Sequence, residues 1–109
     1  MKLPNAQLAF IDPKKITEYL LNATHRYGAS KAFFFSGFGF DERALTDALL
    51  DHGRRHDVAK TRATPFGPRY EMEGDLPTPD GRAPRIRTVW QVDAGEIAPR
   101  LITAYPLEA

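Results

Sequence analysis

The sequence contains no cysteine, and this absence narrows the chemistry that the protein can perform. Disulfide bonds and thiolate catalysis are excluded, and a zinc site would need histidine and carboxylate ligands alone. No apolar run approaches the length that spans a bilayer, and the N-terminal residues lack the long apolar core of a signal peptide. We therefore expect a soluble, cytoplasmic protein without a membrane partner.

An excess of charge of one sign is also missing. The 15 basic and 14 acidic side chains leave a net charge of +1, which argues against a strong non-specific nucleic-acid binder. Arginine nevertheless outnumbers lysine by ten to five. Guanidinium presents a planar fork that suits phosphate and carboxylate groups. The excess of arginine therefore says more about possible ligands than the net charge does.

The chain has 109 residues, which predicts one domain over 1–109 with two packed layers. Three helices are expected first. Asp12 and Pro13 are typical of a helix start before residues 14–22, Ser30 precedes the apolar segment 31–38, and Asp41 precedes the amphipathic segment 42–55. The phenylalanines in this region, Phe33, Phe34, Phe35, Phe38 and Phe40, are expected in the core.

The second half of the chain predicts short strands joined by tight turns. Segment 57–64 has no clear preference, whereas 69–74, 84–92 and 98–105 alternate or carry β-prone residues. Four strands in a meander, with the helices on one face, give an α+β domain whose other sheet face is partly open.

The three histidines differ in their surroundings. His52 and His56 have the i and i+4 spacing of a metal pair, but Gly53 stands between them and no acidic residue completes a motif. A position near the negative end of the helix dipole accounts for both more simply, so no metal is expected. His25 lies in a polar loop, where it can act as an acid or a base, and Lys31 follows at a helix start that disfavours a cation.

Alternation places further candidates on the sheet. Arg85 and Arg87 share one face of their strand, and Thr103 and Tyr105 share one face of the last strand. If Ile86, Thr88 and Trp90 face the helices, then the two arginines face outward. Burial of Leu101 in place of Ile102 would turn Thr103 and Tyr105 inward, and the sequence leaves that register open.

The two segments "HRYGASKAFFFSGFGF" and "GRAPRIRTVWQVDAGEIAPRLITAYP" resemble an uncharacterised bacterial family of small single-domain proteins of unknown function. The resemblance runs from "MKLPNA" to "TAYP". Members typically carry a proline after the histidine, but Arg26 and Tyr27 follow His25 here. Such genes often lie beside another small gene, an arrangement similar to toxin–antitoxin pairs. The resemblance therefore implies a small antitoxin protein as a partner.

Helices followed by a four-stranded sheet that ends in "LITAYP" also resemble the barnase, EndoU, colicin and RelE group of metal-independent ribonucleases. That resemblance implies RNA as the substrate, no cofactor, and cleavage through attack by the 2′-hydroxyl. The catalytic residues it implies are His25, Lys31, Arg87, Thr103 and Tyr105. Arginines suited to contact the RNA backbone are Arg69, Arg85 and Arg100.

Two other interpretations of the sequence remain open. A non-catalytic binding module of the immunity or adaptor type would use the open sheet face, and the near-zero net charge favours it. A small-molecule binder with a cleft between sheet and helices is the third, although no motif points to it.

Overall fold

The computed structural model describes residues 1–24 and 29–107, where three helices precede an antiparallel sheet of four strands. Helix α1 (Pro13–Lys15) continues as a π-helical turn (Ile16–Leu20), and α2 (Ala29–Gly37) and α3 (Glu42–Arg55) follow. The strands are β1 (Val58–Arg62), β2 (Arg69–Asp75), β3 (Arg85–Gln91) and β4 (Arg100–Pro106), in that spatial order. The predicted α+β architecture, with helices before a meander, is confirmed.

Local capping explains where two of the helices begin. The Asp12 carboxylate accepts a hydrogen bond from the backbone N–H of Lys14 at 3.0 Å, and Asp41 accepts one from Ala44 at 2.7 Å. Both act as the caps that the sequence predicts, because their carboxylates satisfy N–H groups that lack a partner within the helix. Helix α2 begins two residues earlier than predicted, so Ser30 lies inside its first turn.

Two glycines allow α3 to lie close against the sheet. A Cβ atom on Gly53 would stand 2.5 Å from Cζ2 of Trp90, and one on Gly74 would overlap the ring of His56. Helix α3 continues past Gly53 and ends at Arg55. Because Gly53 has no side chain, the helix backbone can lie close to the Trp90 indole.

The core lies between the helices and the inner sheet face, and Phe35, Leu45, Leu49, Met72 and Trp90 are fully buried in it. The expectation for the phenylalanines is only partly right. Phe35 and Phe40 are buried and Phe34 and Phe38 are half-buried, but Phe33 is 70% exposed. Helix α2 packs with one side against the π-helical turn, so an apolar run of this length cannot be buried all round.

A buried chain of hydrogen bonds crosses from α3 to the sheet. Trp90 Nε1–H donates to Thr88 Oγ1, whose hydroxyl lies 2.9 Å from His52 Nδ1. His52 Nε2 lies 3.1 Å from the Ile86 carbonyl oxygen and 3.2 Å from that of Gly74. The Nε2–H tautomer satisfies every member, since Thr88 then donates to Nδ1. His52 is therefore a structural residue held by this network, and the helix dipole is not needed to explain it.

A bulge in β4 decides the register that the sequence left open. Leu101 and Ala104 are both buried although they are three residues apart, because the pairing with β3 shifts between Val89 and Trp90. The extra residue leaves Thr103 opposite Val89 and Tyr105 opposite Arg87. Burial of Leu101 therefore does not turn Thr103 and Tyr105 inward.

Candidate functional site

The side of the sheet turned away from the helices, here called the open face, gathers the predicted basic residues. Strand pairing places Arg87 opposite Tyr105 and Glu73, and Gln91 opposite Arg100 and Arg69. The basic side chains of this face are Lys60, Arg62, Arg69, Arg85, Arg87 and Arg100, and its acidic ones are Glu71, Glu73 and Asp75. Although the net charge of the chain is close to zero, basic side chains outnumber acidic ones on this face of the sheet.

Arg87 stands at the centre of a hydrogen-bonded cluster on this face. It donates to the Tyr105 hydroxyl oxygen at 2.9 Å and to Glu73 at 3.0 Å, and its Nε lies 3.4 Å from Glu71. The hydrogen bonds to Tyr105 and Glu73 raise the pKa of the Arg87 guanidinium above its usual value. Glu71 also accepts from Arg62 at 3.0 Å. Arg87 is therefore fixed in place, and its charge is largely balanced by two carboxylates.

The other arginines of the open face differ in how they are engaged. Arg69 donates to the Gln91 side chain at 2.7 Å, and Arg100 donates to Asp93 at 2.7 Å. The hydrogen bond from Arg100 lowers the pKa of the Asp93 carboxyl group. Arg85 is exposed on β3, and the carboxylate of its neighbour Asp75 pairs with Arg55 of α3 instead.

A second cluster forms where the π-helical turn meets the edge strand β4, and its centre is Tyr19. The Tyr19 hydroxyl lies 3.1 Å from Thr103 Oγ1, and the ammonium groups of Lys31 and Lys15 lie 5.5 Å and 5.3 Å from the ring centre. Partial burial acts to raise the pKa of the phenol, but the hydrogen bonds with Thr103 and Lys31 and the two cations lower it on balance.

The two clusters are neighbours along one strand. Thr103, which contacts Tyr19, and Tyr105, which contacts Arg87, are two residues apart on β4 and face the same side. Of the five predicted catalytic residues, four thus lie in one strip from Lys31 to Arg87. The fifth, His25, lies outside the described residues.

Sequence reasoning missed Tyr19, Glu71 and Glu73. The sequence pattern assigns Tyr19 to the apolar stripe of a regular helix, but Leu21 N–H bonds to Ile16 C=O at 2.8 Å, which is the spacing of a π-helical turn. Nothing in residues 16–21 signals this wider turn. The glutamates alternate with Tyr70 and Met72 along β2, a pattern from which their place beside Arg87 could have been inferred once the strand order was known.

The other two histidines do not contribute to this site. His52 is fully buried on the helix side of the sheet, where burial and the neighbouring His56 lower its pKa to about 4. His56 Nε2–H donates to the Asp75 carbonyl oxygen at 2.9 Å. Within residues 1–24 and 29–107, no three histidine or acidic side chains stand close enough together to hold a metal ion.

A pocket of about 340 Å³ lies away from both clusters, between the π-helical turn and α3. Glu42 and Asp47 line it together with Arg43, so it presents more negative than positive charge. That balance does not suit a phosphate, and the predicted residues are absent from its walls. The open face and the Tyr19 cluster form the better candidate, because they gather the predicted residues that the structure describes. No helix in the described part of the chain is long and apolar enough to cross a bilayer.

Comparison with known proteins identifies the family. The profile of a domain of unknown function, DUF6883, matches residues 2–108. The chain belongs to this family. No protein of curated function matches it. Among solved structures, this DUF6883 domain is similar to a chain described as "Contact-dependent growth inhibition toxin - immunity protein complex from Klebsiella pneumoniae 342". The TM-score is 0.70 at 16% identity, over 95% of this chain and 97% of that one, which establishes a shared fold.

Proposed function

We propose that this DUF6883 domain is the toxin component of a toxin–immunity pair and cleaves RNA without a metal ion. The observation that carries the proposal is the strip at the edge of the basic sheet face. It runs from Lys31 of α2 through Tyr19 to Thr103 and Tyr105 of β4 and ends at Arg87 of β3. The similarity to a chain of a growth-inhibition toxin–immunity complex supports the biological setting.

Metal-independent RNA cleavage needs a base, an acid and cations. The base removes the 2′-hydroxyl proton, the 2′-oxygen bonds to phosphorus, and the bond from phosphorus to the 5′-oxygen breaks as that oxygen takes up a proton. His25 is the proposed base, Lys31 and Arg87 stabilise the charge of the phosphorane, and Thr103 donates a hydrogen bond to it. The products are a 2′,3′-cyclic phosphate and a 5′-hydroxyl, and no cofactor takes part.

The outer arginines are assigned to the RNA backbone. Arg69, Arg85 and Arg100 lie on the open face outside the strip, and each can donate to phosphate oxygens. Tyr105 is proposed to stack on a base beside the scissile bond, as aromatic side chains do in RNA-binding proteins. A small neutralising protein would act by covering this face.

The test is expression of this chain alone in bacteria, followed by growth curves and by total RNA. Arrest of growth with RNA cleavage is expected, and purified protein should cleave RNA in the presence of EDTA. His25→Ala and Lys31→Ala should abolish both effects. Lys14→Ala removes an exposed lysine of α1 outside the strip and should leave them intact. Variants at His25 and Lys31 that stay as toxic as the parent would refute the site.

A second candidate is an immunity-type module that binds a partner protein without catalysis. The balance of charge around Arg87 favours it, since the guanidinium already donates to Glu73 and Tyr105 and lies beside the Glu71 carboxylate. The charge of Arg100 is likewise balanced by its ion pair with Asp93. A folded protein that neither arrests growth nor cleaves RNA in the same experiment would decide in its favour.

A further inference from the structure

We infer that Phe10 and Phe66 stack on bases of single-stranded RNA at one end of the open face. This inference rests on the proposed function and deepens it, because it gives the nucleotides beyond the scissile bond a binding site of their own. Proteins hold single-stranded nucleic acid by stacking its bases on aromatic side chains, beside a basic surface that follows the phosphate backbone. Both parts are present at this end of the sheet.

The Phe10 side chain lies on the open face. Its backbone N–H donates to the Pro99 carbonyl oxygen at 3.0 Å, and its carbonyl oxygen accepts from the Leu101 N–H at 3.2 Å. These two bonds pair Phe10 with Arg100 in a parallel bridge, and bridge partners turn their side chains to the same face. The preceding residue, Ala9, is buried on the opposite side. The Phe10 ring is therefore 47% exposed beside Arg100.

Phe66 lies at the same end of the sheet, in the loop that joins β1 to β2, and it is 69% exposed. Its carbonyl oxygen accepts from the Ala94 N–H at 2.7 Å, and the Val92 N–H donates to the Pro68 carbonyl oxygen at 3.0 Å. These bonds tie the loop to the turn that follows β3. The backbone that carries the ring is thus held in place, so little freedom is lost when a base packs against it.

The side chains of Arg69, Gln91 and Arg100, here called the arginine row, cross the sheet between the two rings. Strand pairing places the three side by side, with Phe10 next to Arg100. Arg69 Nε–H donates to the Gln91 side-chain oxygen at 2.7 Å, and Arg69 makes no other hydrogen bond among the described residues. Its two terminal nitrogens can therefore donate to a phosphate group.

The charges at this end of the sheet favour a phosphate chain as the ligand. Arg100 is balanced by its ion pair with Asp93, but the bond from Arg69 goes to a neutral amide. Glu96, on the turn after β3, is an exposed carboxylate outside the arginine row. Single exposed apolar residues are common on protein surfaces, but aromatic rings on both sides of a basic row form the combination that binds single-stranded nucleic acid.

The arginine row lies at a distance from the strip that suits a longer RNA. Gln91 follows Arg87 by four residues on β3, which corresponds to about 13 Å along the strand. RNA that extends from a scissile phosphate at Arg87 toward Gln91 brings its next nucleotides to the two rings. A dinucleotide cut at the strip is too short to use them.

The first measurement is binding of a fluorescent RNA of about 12 nucleotides whose 2′-hydroxyl groups are all methylated, so that the proposed reaction cannot cleave it. In fluorescence anisotropy, Phe10→Leu and Phe66→Leu should each weaken binding by about 10-fold, because leucine is apolar but has no aromatic face. Phe10→Tyr keeps the ring and should bind like the wild type. Phe33→Leu changes a phenylalanine on α2 that is 70% exposed, and it is the matched control.

The second measurement is kcat/KM in EDTA for a dinucleotide and for the unmethylated form of the longer RNA. Phe10→Leu and Phe66→Leu should lower the value for the longer RNA by about the same factor as the affinity and leave that for the dinucleotide unchanged. Equal slowing of both substrates would overturn the inference, since the rings would then act through the fold.

The outcomes separate this inference from the proposed function. A wild-type chain that cleaves RNA, with variants that bind the methylated RNA unchanged, would overturn the inference alone and leave the rings and the exposed Ile97 to a protein partner. A wild-type chain that binds RNA through the two rings but does not cleave it would support the inference and refute the ribonuclease. A wild-type chain that neither binds nor cleaves RNA would overturn both.

Discussion

Replacing Gly53 by alanine sets two well-known effects against each other. In an exposed helix this change stabilises by about 1 kcal/mol, because alanine loses less backbone entropy on folding. At Gly53 the new methyl group would stand 2.5 Å from Cζ2 of Trp90, which is fully buried and also held by its hydrogen bond to Thr88. Overpacking of this kind costs about 1–3 kcal/mol, and more where neighbours cannot move.

The steric contact between the new methyl group and Trp90 should cost more free energy than the higher helix propensity of alanine gains. The indole cannot retreat without breaking the Trp90–Thr88–His52 chain, and the helix cannot retreat without separating His52 from the Gly74 and Ile86 carbonyl groups. We expect Gly53→Ala to lower the free energy of unfolding by about 1–2 kcal/mol. For a domain of this size that corresponds to a fall in Tm of roughly 4–15 °C.

The assay is urea unfolding followed by circular dichroism, with Gly37→Ala as the matched control. Gly37 ends α2, a Cβ atom added to it would have no neighbour within 4 Å, and its φ is not in the left-handed region. The control should be as stable as the wild type or slightly more stable. A Gly53→Ala protein that matches or exceeds the wild type would refute the close packing of α3 on Trp90.

Three other perturbations give expected outcomes. Burial lowers the pKa of His52 to about 4 from 6.5, so the unfolded chain takes up a proton at this histidine before the folded one does. The contribution of His52 to the free energy of unfolding should be fully present above pH 6.5 and should fall by about 3 kcal/mol as the pH drops toward 4. In urea titrations at several pH values, His52→Gln should remove that dependence. Phe35→Ala should destabilise by about 3–5 kcal/mol, whereas Phe33→Ser, at a 70% exposed position, should change stability by less than about 0.5 kcal/mol. If the open face binds RNA, Glu73→Gln should strengthen binding by releasing Arg87 from its ion pair, as measured by fluorescence anisotropy. Arg85→Gln should weaken binding and reduce the slope of log affinity against log salt concentration by about 0.7. Unchanged affinity in both variants would show that RNA binds elsewhere.

The sequence predicted most of the fold, because its signals are local. Asp12, Asp41 and the alternation of Ile86, Thr88 and Trp90 each depend on residues a few positions apart. The sequence could not predict features in which distant segments decide the outcome. The bulge in β4, where Ile102 has no partner on β3, depends on how two distant strands pair. The exposure of Phe33 depends on how much of α2 the core can cover.

The residues that form the candidate site could be predicted only in part. Arg87, Thr103 and Tyr105 were brought together by strand alternation and neighbouring order, which can be inferred from sequence. Tyr19 and the glutamates were missed because their roles depend on contacts that join residues 84 positions apart in one case and 14 in the other. His25 remains a prediction from composition and resemblance.

The arrangement of charge bears on which partner the open face suits. A face made only of arginine would attract any polyanion, but here Glu71 lies between Arg62 and Arg87, and Glu71 and Glu73 together hold the Arg87 guanidinium in place. Fixed donors favour a ligand of defined shape over non-specific attraction, because little side-chain entropy is lost when it binds. The ion pairs also reduce the net field, so affinity must come from direct contacts. An enzyme that cleaves selected RNA, or a module that recognises one protein, is consistent with such a face, whereas a general nucleic-acid coat protein is not.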